Sequence, residues 1–275
     1  MTDTLLAQEP LIRLGAFTGI LAVMVLWEWL SPRRNQEIGR TRRWPGNLGI
    51  VALDTVVVRL VFPATAVGTA LLAEARSWGL FQSLEAPTWL VIAMSVILLD
   101  LAIYLQHVLF HAVPVLWRLH RMHHGGTTGL RFHPIEILLS MGIKLGVVTA
   151  LGTPAVAVLV FEVLLNATAM FNHGNVRLPA QIDRVLRWIV VTPEMHRVHH
   201  SVVPRETNSN FGFNLPWWDR LFGTYRAQPA AGHEGMTIGI AQFREPSELR
   251  LDRMLIQPFR DDDRLYPLGR REPAE

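Results

Sequence analysis

Long apolar stretches alternate with polar segments between residues 11 and 171. Residues 11–30 are long enough to cross a hydrocarbon core of about 30 Å as an α-helix. Residues 48–73 and 89–106 predict two further spans. Residues 135–171 exceed the length of one span and are interrupted by Gly-Thr-Pro at 152–154, so they predict a hairpin of two membrane helices. We therefore expect an all-α, polytopic bundle of about four to five membrane helices.

The arginines predict how this bundle is oriented. Basic residues between the first two spans and after the third favour the cytoplasmic side, whereas the loop at 74–87, with one arginine and two glutamates, favours the outside. The N-terminus is then external, and everything after about His173 is cytoplasmic. The acidic leader MTDTLLAQEP is not followed by a small-residue cleavage site, so we expect the first stretch to be a retained span and not a signal peptide.

Composition agrees with a multi-pass integral membrane protein. Half of the residues are hydrophobic and 18% are charged, whereas soluble domains carry about 25% charged residues. The net charge is +3 without a dense basic tract, so no nucleic-acid partner is predicted. The chain has no cysteine, which excludes disulfides, iron–sulfur clusters, thiolate-bound haem and cysteine zinc sites. Any metal must be held by imidazole and oxygen.

Histidine motifs are the strongest chemical signal. The pattern HRMHH at residues 120–124 recurs as HRVHH at 196–200, which places six of the 11 histidines in two short segments. On a helix, positions i, i+3 and i+4 share one face, so each copy directs three imidazoles the same way. HVLFH at 107–111 adds a same-face pair at the end of the third span. Together with His133 and His173, ten histidines lie near one predicted membrane surface, and His233 is the exception.

The number of histidines bears on the kind of site. Imidazole suits iron, zinc, copper or nickel, but a zinc ion is usually four-coordinate. Ten clustered histidines therefore predict two metals with four or five nitrogen ligands each. His133 precedes Pro134 and should come from a loop, and His173 is isolated, so a core histidine is the alternative for it. Asp100 and Tyr104 share a helical stripe with the first histidine pair and are candidate outer partners of the cofactor; Glu136, Glu194 and Asp219 are others.

Three other classes of protein use histidine in membranes. A haem electron carrier needs single histidines on opposing helices inside the bilayer. A zinc transporter places its ligands near the midplane. A zinc-dependent membrane hydrolase needs few ligands and an open water position. The clustered set at the membrane edge favours none of them, although the zinc transporter and hydrolase stay as alternatives.

The motifs HVLFH, HRMHH and HRVHH, with LRFHPIE and SNFGFNLPWWDRLFGTY, resemble the fatty acid hydroxylase/sterol desaturase superfamily from about residue 100 to residue 225. The resemblance implies a membrane bundle with a cytoplasmic histidine-rich helical cap and a centre of two iron ions, which zinc can replace in purified protein. It implies catalytic metal ligands at His107, His111, His120, His123, His124, His196, His199 and His200, with His133 and His173 as additional ligands.

The implied activity is oxidation of a lipid. Such an enzyme uses O2 and external electrons to hydroxylate a C–H bond of a fatty acyl chain, sterol or related lipid; desaturation is the alternative within the family. No segment like cytochrome b5 is seen at either end, so the electron donor is expected to be a separate protein. We divide the chain into N-terminal transmembrane helices (1–106), a histidine-box catalytic region (107–225) that includes the hairpin, and a cytoplasmic C-terminal tail (226–275).

Overall fold

The computed structural model describes residues 2–36, 38–125, 131–260 and 267–268. This part of the chain is helical, and its β-pairing consists of two isolated bridges. The helices up to the second histidine motif are α1 (Thr2–Ala7), α2 (Glu9–Leu30), α3 (Arg40–Val61), α4 (Ala66–Ala75), α5 (Thr88–Ala112) and α6 (Pro114–His124). Those that follow are α7 (Pro134–Leu151), α8 (Ala155–Asn172), α9 (Ala180–Leu186), α10 (Pro193–His199), α11 (Pro204–Thr207), α12 (Trp217–Leu221), α13 (Gly232–Gly235) and α14 (Leu251–Ile256), with 3-10 turns at Leu80–Ser83, Pro246–Leu249 and Gln257–Phe259.

The prediction of an all-α membrane bundle is confirmed. Within the described residues, five helical stretches are long and apolar enough to cross a membrane, and many of their large apolar side chains face outward, as lipid contact requires. The stretches are Glu9–Leu30, Arg40–Ser83, Thr88–Ala112, Pro134–Leu151 and Ala155–Asn172.

The second predicted span, residues 48–73, lies within one of these stretches but is not a single helix. The chain leaves α3 at Val61 and starts α4 at Ala66. Pro63 explains the break, because proline has no backbone N–H and disfavours helical geometry at the residue before it. Helix α4 packs against α7 and α8, where Val67 and Ala70 are buried with Leu99. A short helix therefore fills the core at the end of the bundle away from the histidines.

The predicted hairpin forms from α7 and α8, each 18 residues long. Gly152 ends α7 with a left-handed φ of 63°, and a side chain there would meet the Trp78 carbonyl oxygen at 2.3 Å. Gly79 faces it with a φ of 97° and equally little room. Two glycines thus let the hairpin turn pack directly against the segment before α5.

The described part of the predicted C-terminal tail folds back onto the bundle. Arg118 of α6 donates to the carbonyl oxygen of Pro258 at 2.7 Å. Met254 of α14 is buried with Met122 of α6 and Ile50 of α3. This segment therefore covers the outer side of α6, the helix that carries HRMHH.

Candidate metal centre

Nine histidines converge into two adjacent groups, and all nine are buried. In each group the ligand-capable atoms lie within 4.8 Å of one another. The first group is His107, His111, His120, His124 and His199; the second is His123, His173, His196 and His200. The groups touch, since the rings of His124 and His200 are 4.6 Å apart between centroids.

Four helices deliver these side chains to one place. Helix α5 presents His107 and His111 one turn apart, and the chain then turns at Val113 into α6, whose first residue is Pro114. Proline is favourable at a helix start because its missing N–H would have no partner there. His173 directly follows α8, and α10 supplies the second HxxHH motif.

Each HxxHH motif serves both groups. In α6, His120 and His124 belong to the first group, whereas His123 points to the second. In the second motif, His199 belongs to the first group, and His196 and His200 belong to the second. Positions i, i+3 and i+4 share a face but differ in direction by part of a turn. This difference in side-chain direction fits two neighbouring sites better than a single site.

The inward nitrogens lie within hydrogen-bond distance of one another. The Nε2 atom of His173 is 3.0 Å from that of His123 and 2.9 Å from that of His196. In the first group, the Nε2 atoms of His107 and His120 are 3.1 Å apart. Because the Nδ1 of His173 donates its proton to the Ala169 carbonyl oxygen at 2.8 Å, its Nε2 is a lone pair. One lone pair cannot accept full hydrogen bonds from the N–H groups of two neighbouring imidazoles.

Other buried nitrogens in the groups lack hydrogen-bond partners among the described residues. Buried polar atoms are normally paired, so a cluster of exceptions requires an explanation. A cation in each group would take one nitrogen from each ring, and the donor set therefore fits two metal ions. The atoms concerned are His111 Nε2, His123 Nδ1, both ring nitrogens of His124, His196 Nδ1 and His199 Nε2.

Hydrogen bonds on the outer side fix the tautomers of several rings. The Nδ1 atoms of His107 and His199 donate to the carbonyl oxygens of Phe211 and Ser209, both at 2.8 Å. The Nδ1 of His111 lies 3.0 Å from Asn208 Oδ1. With the proton on Nδ1, Nε2 is left as the metal-facing lone pair. A single loop between α11 and α12 therefore orients three rings of the first group.

A carboxylate orients a fourth ring. Glu136, in the first turn of α7, accepts from the Nδ1 of His120 at 2.6 Å, and both side chains are buried. This is the outer partnership that the sequence suggested for Glu136. With the proton on Nδ1, the Nε2 of His120 is left as its inward lone pair.

The loop that orients these rings is itself held rigidly. The carboxylate of Asp219 accepts from the backbone N–H groups of Phe211 and Gly212, at 2.7 and 2.8 Å. A side chain at Gly212 would meet that carboxylate at 2.6 Å, so glycine is needed for the close approach. Burial raises the pKa of Asp219 to about 6, although hydrogen bonds from Thr224 and the two backbone N–H groups oppose the shift.

Burial keeps the imidazoles in their ligand form. It lowers the pKa of His120 to about 3 and that of His173 to about 4, from an ordinary value of 6.5. Burial, followed by the neighbouring imidazoles, holds five further pKa values well below 6.5: those of His123, His124, His196, His199 and His200. A neutral imidazole offers a lone pair at physiological pH, which a metal ion requires.

The structure does not bring His133 together with the other predicted ligands. Its Nδ1 accepts from the N–H of Ile135 at 3.2 Å, and its Nε2 lies 3.2 Å from the Leu255 carbonyl oxygen. Because both nitrogens are engaged as it caps α7, we leave His133 out of the ligand set. His233 also lies outside both groups, with its Nε2 3.0 Å from Glu194.

Asp100 and Tyr104 lie farther from the histidines than predicted, and they contact the segment that orients the rings. Asp100 accepts from Trp218 Nε1 at 2.9 Å and from the backbone N–H of Leu215 at 3.2 Å. The hydroxyl of Tyr104 is 2.9 Å from that of Thr224. Neither side chain is hydrogen-bonded to a ligand histidine in the described contacts; both hold the segment that carries the Phe211 carbonyl. Glu194 pairs with Arg33 at 2.7 Å and with Arg197 at 3.1 Å.

Asn208 is the functional candidate that sequence reasoning missed. Asparagine is common in loops, so its position alone carried no signal. The available signal was its place immediately before the tract SNFGFNLPWWDRLFGTY, which ends at Tyr225. That tract supplies acceptors for His107 and His199, and Asn208 supplies the acceptor for His111.

Comparison with known proteins agrees with this centre. A family model described as fatty acid hydroxylase matches residues 92–224, a region that contains all nine converging histidines. The chain is 28% identical over 247 residues to an ornithine lipid hydroxylase of Rhizobium tropici, covering 82% of this chain and 71% of that protein. No solved structure gave a match.

Two further relatives come from animals. An alkylglycerol monooxygenase of Xenopus tropicalis is 25% identical over 253 residues, which is 86% of this chain and 51% of the relative. The human cholesterol 25-hydroxylase is 29% identical over 180 residues, 62% of each chain. The chain thus spans less than two thirds of either animal protein.

Proposed function

Because this chain belongs to the fatty acid hydroxylase/sterol desaturase superfamily, we propose that it is a membrane-bound, non-haem di-iron enzyme that hydroxylates a C–H bond of a lipid with O2. The observation that carries the proposal is the pair of adjacent, buried histidine groups. Five imidazoles in one group and four in the other provide for two ions, which is more than a mononuclear zinc site uses. We place the centre on the cytoplasmic side, where the arginine distribution predicts it.

The roles of the chain are to hold the ions, to orient the rings and to keep water away. Two iron ions bound here would supply the redox chemistry that activates O2 towards an unactivated C–H bond. The loop acceptors and Glu136 keep four rings in fixed orientations. Aromatic side chains exclude water from the histidines. Phe211 is buried against His107 and His111. Phe132 stacks on His123, with ring centroids 4.5 Å apart.

Hydroxylation consumes one O2, two electrons and two protons, and it yields the alcohol and one water. The electrons must come from outside the chain, and we propose a separate donor protein for them. The substrate comes from the membrane, because α5 both lies among the apolar spans and carries His107 and His111. The relatives are named as oxygenases of an ornithine lipid, an alkylglycerol and cholesterol, which supports a lipid substrate for this chain.

Those relatives also favour hydroxylation over desaturation. All three are named hydroxylase or monooxygenase, and none is named desaturase. A zinc-dependent hydrolase or transporter gains no support, because the histidine groups exceed the ligand number of one zinc site and lie at the ends of the spans.

Mass spectrometry of total lipids from cells expressing the chain tests the proposal. Cells with the wild-type chain and cells with His199→Ala are compared, with a reductase supplied to both. We expect one lipid class to gain a single oxygen atom with the wild-type chain only. Loss of two hydrogens would establish a desaturase instead.

The matched control is His133→Ala, which removes a histidine near the centre that lies outside both groups. This variant should still form the oxygenated lipid. If no lipid changes across hosts of different lipid composition, with both proteins present in the membrane, the oxygenase proposal is wrong and the zinc alternatives return.

A further inference from the structure

Apolar side chains are exposed on the cap, by which we mean the short helices and loops of residues 173–260, outside the membrane-spanning helices. Trp188 and Ile189 are 59% and 60% exposed, and Leu221 and Phe222 are 69% and 52% exposed. A soluble surface rarely leaves such large apolar groups side by side. We call the set the apolar face: Ile182, Val185, Trp188, Ile189, Trp217, Leu221 and Phe222.

The apolar face is one continuous surface built from two segments. Ile182, Val185 and Ile189 are spaced i, i+3 and i+7, along α9 and the turn after it. Trp217 begins α12 and donates from Nε1 to the Trp188 carbonyl oxygen at 2.7 Å, which ties the segments together.

Contacts with α5 show where the apolar face lies along the length of a membrane-spanning helix. Asp100 is the central residue of α5, since α5 runs over 25 residues from Thr88 to Ala112. It lies about 18 Å along the helix from the end at Ala112. The Nε1 of Trp218 and the backbone N–H of Leu215 both reach its carboxylate. The start of α12 is therefore beside the middle of a membrane-spanning helix.

A second contact agrees with this depth. Phe222 stacks on Tyr104 of α5, with ring centroids 5.4 Å apart. Leu105, next to Tyr104, is itself exposed on the outside of the bundle, where α5 contacts lipid. The exposed groups of α12 are thus continuous with the lipid-facing side of α5.

From the depth and the continuity of this surface, we propose that the apolar face is immersed in the leaflet on the side of the metal centre. The cap is then held in the membrane by its own short helices as well as by the spans. This proposal depends on the membrane bundle and is independent of the reaction that the centre performs.

Charges near the apolar face are arranged as lipid immersion requires. The guanidinium of Arg220 lies over the rings of Trp188 and Tyr225, at 3.7 and 4.0 Å from their centroids. Arg187 is buried and paired with Asp183. The exposed Arg184 stands on α9 beside Val185, where a basic group can meet lipid phosphates. Two tryptophans in the face suit the interface between headgroups and hydrocarbon.

Site-directed spin labelling tests the proposal directly, because the natural chain has no cysteine. Ile189→Cys and Leu221→Cys sample the two segments of the apolar face. Leu105→Cys is the lipid control on α5, and Ala230→Cys is the control on an exposed stretch of the cap. Each full-length variant is labelled with a nitroxide in lipid nanodiscs. Collision rates with O2 and with a water-soluble nickel chelate are then measured.

We expect the O2-to-nickel ratio at residues 189 and 221 to match that at residue 105 and to exceed that at residue 230 several-fold. Ratios equal to that at residue 230 would mean that water covers the face and would overturn the proposal. An immobilised label shielded from both reagents would place a protein surface there, either a second copy or a partner, and would overturn it as well.

Discussion

Two regions of this protein bury polar groups, and they do so in opposite ways. Among the membrane helices, Glu162 of α8 accepts from Arg13 of α2 at 2.5 Å and from Lys144 of α7 at 2.8 Å. At the ends of those helices, buried nitrogens of His111, His124 and His199 have no hydrogen-bond partner in the described part of the chain. The Glu162 cluster is satisfied by the chain alone, and the histidine groups are not.

This difference separates a structural network from a ligand site. A charge inside a bilayer is stable only when it is paired, so the Glu162 cluster fastens α2 and α7 to α8. Unpaired nitrogens in a buried site cost about 1–3 kcal/mol each unless a ligand satisfies them. Six such nitrogens lie together on five rings that converge in the histidine groups, and this is the physical reason for proposing the metals there.

Loss of a metal ligand should have the largest effect. We expect His199→Ala and His196→Ala, one from each group, to lower oxygenated product by roughly 10⁴-fold or more, because residues of a catalytic unit act together. Metal content should fall as well, while the helical circular dichroism signal stays. Wild-type turnover in either variant would remove that histidine from the centre.

Loss of the central membrane carboxylate should reduce stability and leave the centre intact. Glu162→Gln leaves two cations without their shared partner, so we expect a loss of about 3 kcal/mol in the free energy of unfolding. Reversible unfolding in mixed micelles measures it. The metal content of the folded fraction should not change.

Glu9→Gln is the matched control for that variant. Glu9 pairs with Arg13 at 3.1 Å near the start of α2, where its side chain is partly exposed. A pair of this kind contributes about 0–1 kcal/mol. Equal losses from Glu9→Gln and Glu162→Gln would contradict the role assigned to the buried cluster.

Removal of an outer partner should weaken the centre without abolishing it. Asn208→Ala deletes the acceptor for His111 Nδ1, and we expect metal affinity to drop by about 10–100-fold. Competition with a chelator measures the affinity. Asn208→Asp keeps an acceptor and should retain most of it; if both variants bind metal as the wild type does, Asn208 has no part in orienting the ring.

His133→Ala should have the smallest effect. The residue caps α7 through its ring, so a loss of about 1 kcal/mol in stability is expected. Metal content and product formation should stay at the wild-type level. A loss of metal comparable to that of His199→Ala would restore His133 to the ligand set.

The sequence predicted the membrane helices because length and apolar content decide them. It predicted the hairpin turn from Gly152 and Pro154, and the structure has its turn there. The break between α3 and α4 could also have been predicted, because Pro63 lies within the apolar stretch. Residues 48–73 therefore lie within a candidate membrane span, as predicted, but they form parts of two helices.

Other features could not be read from spacing. An i, i+3, i+4 pattern says that three rings share a face, but it does not say that His123 serves a different group from His120 and His124. The partner of Lys144 and the role of Asn208 depend on contacts across 18 and 97 residues of sequence. Periodicity within one helix carries no information about such pairs.

The most direct test of the two-ion centre is the metal content of the purified, full-length protein. The chain would be expressed with added iron, purified without O2 and analysed for all transition metals per folded chain, with Mössbauer spectroscopy of iron-57 protein. The proposed centre requires two ions per chain, with iron in a nitrogen-rich environment. A content of one ion or none in active protein would contradict it.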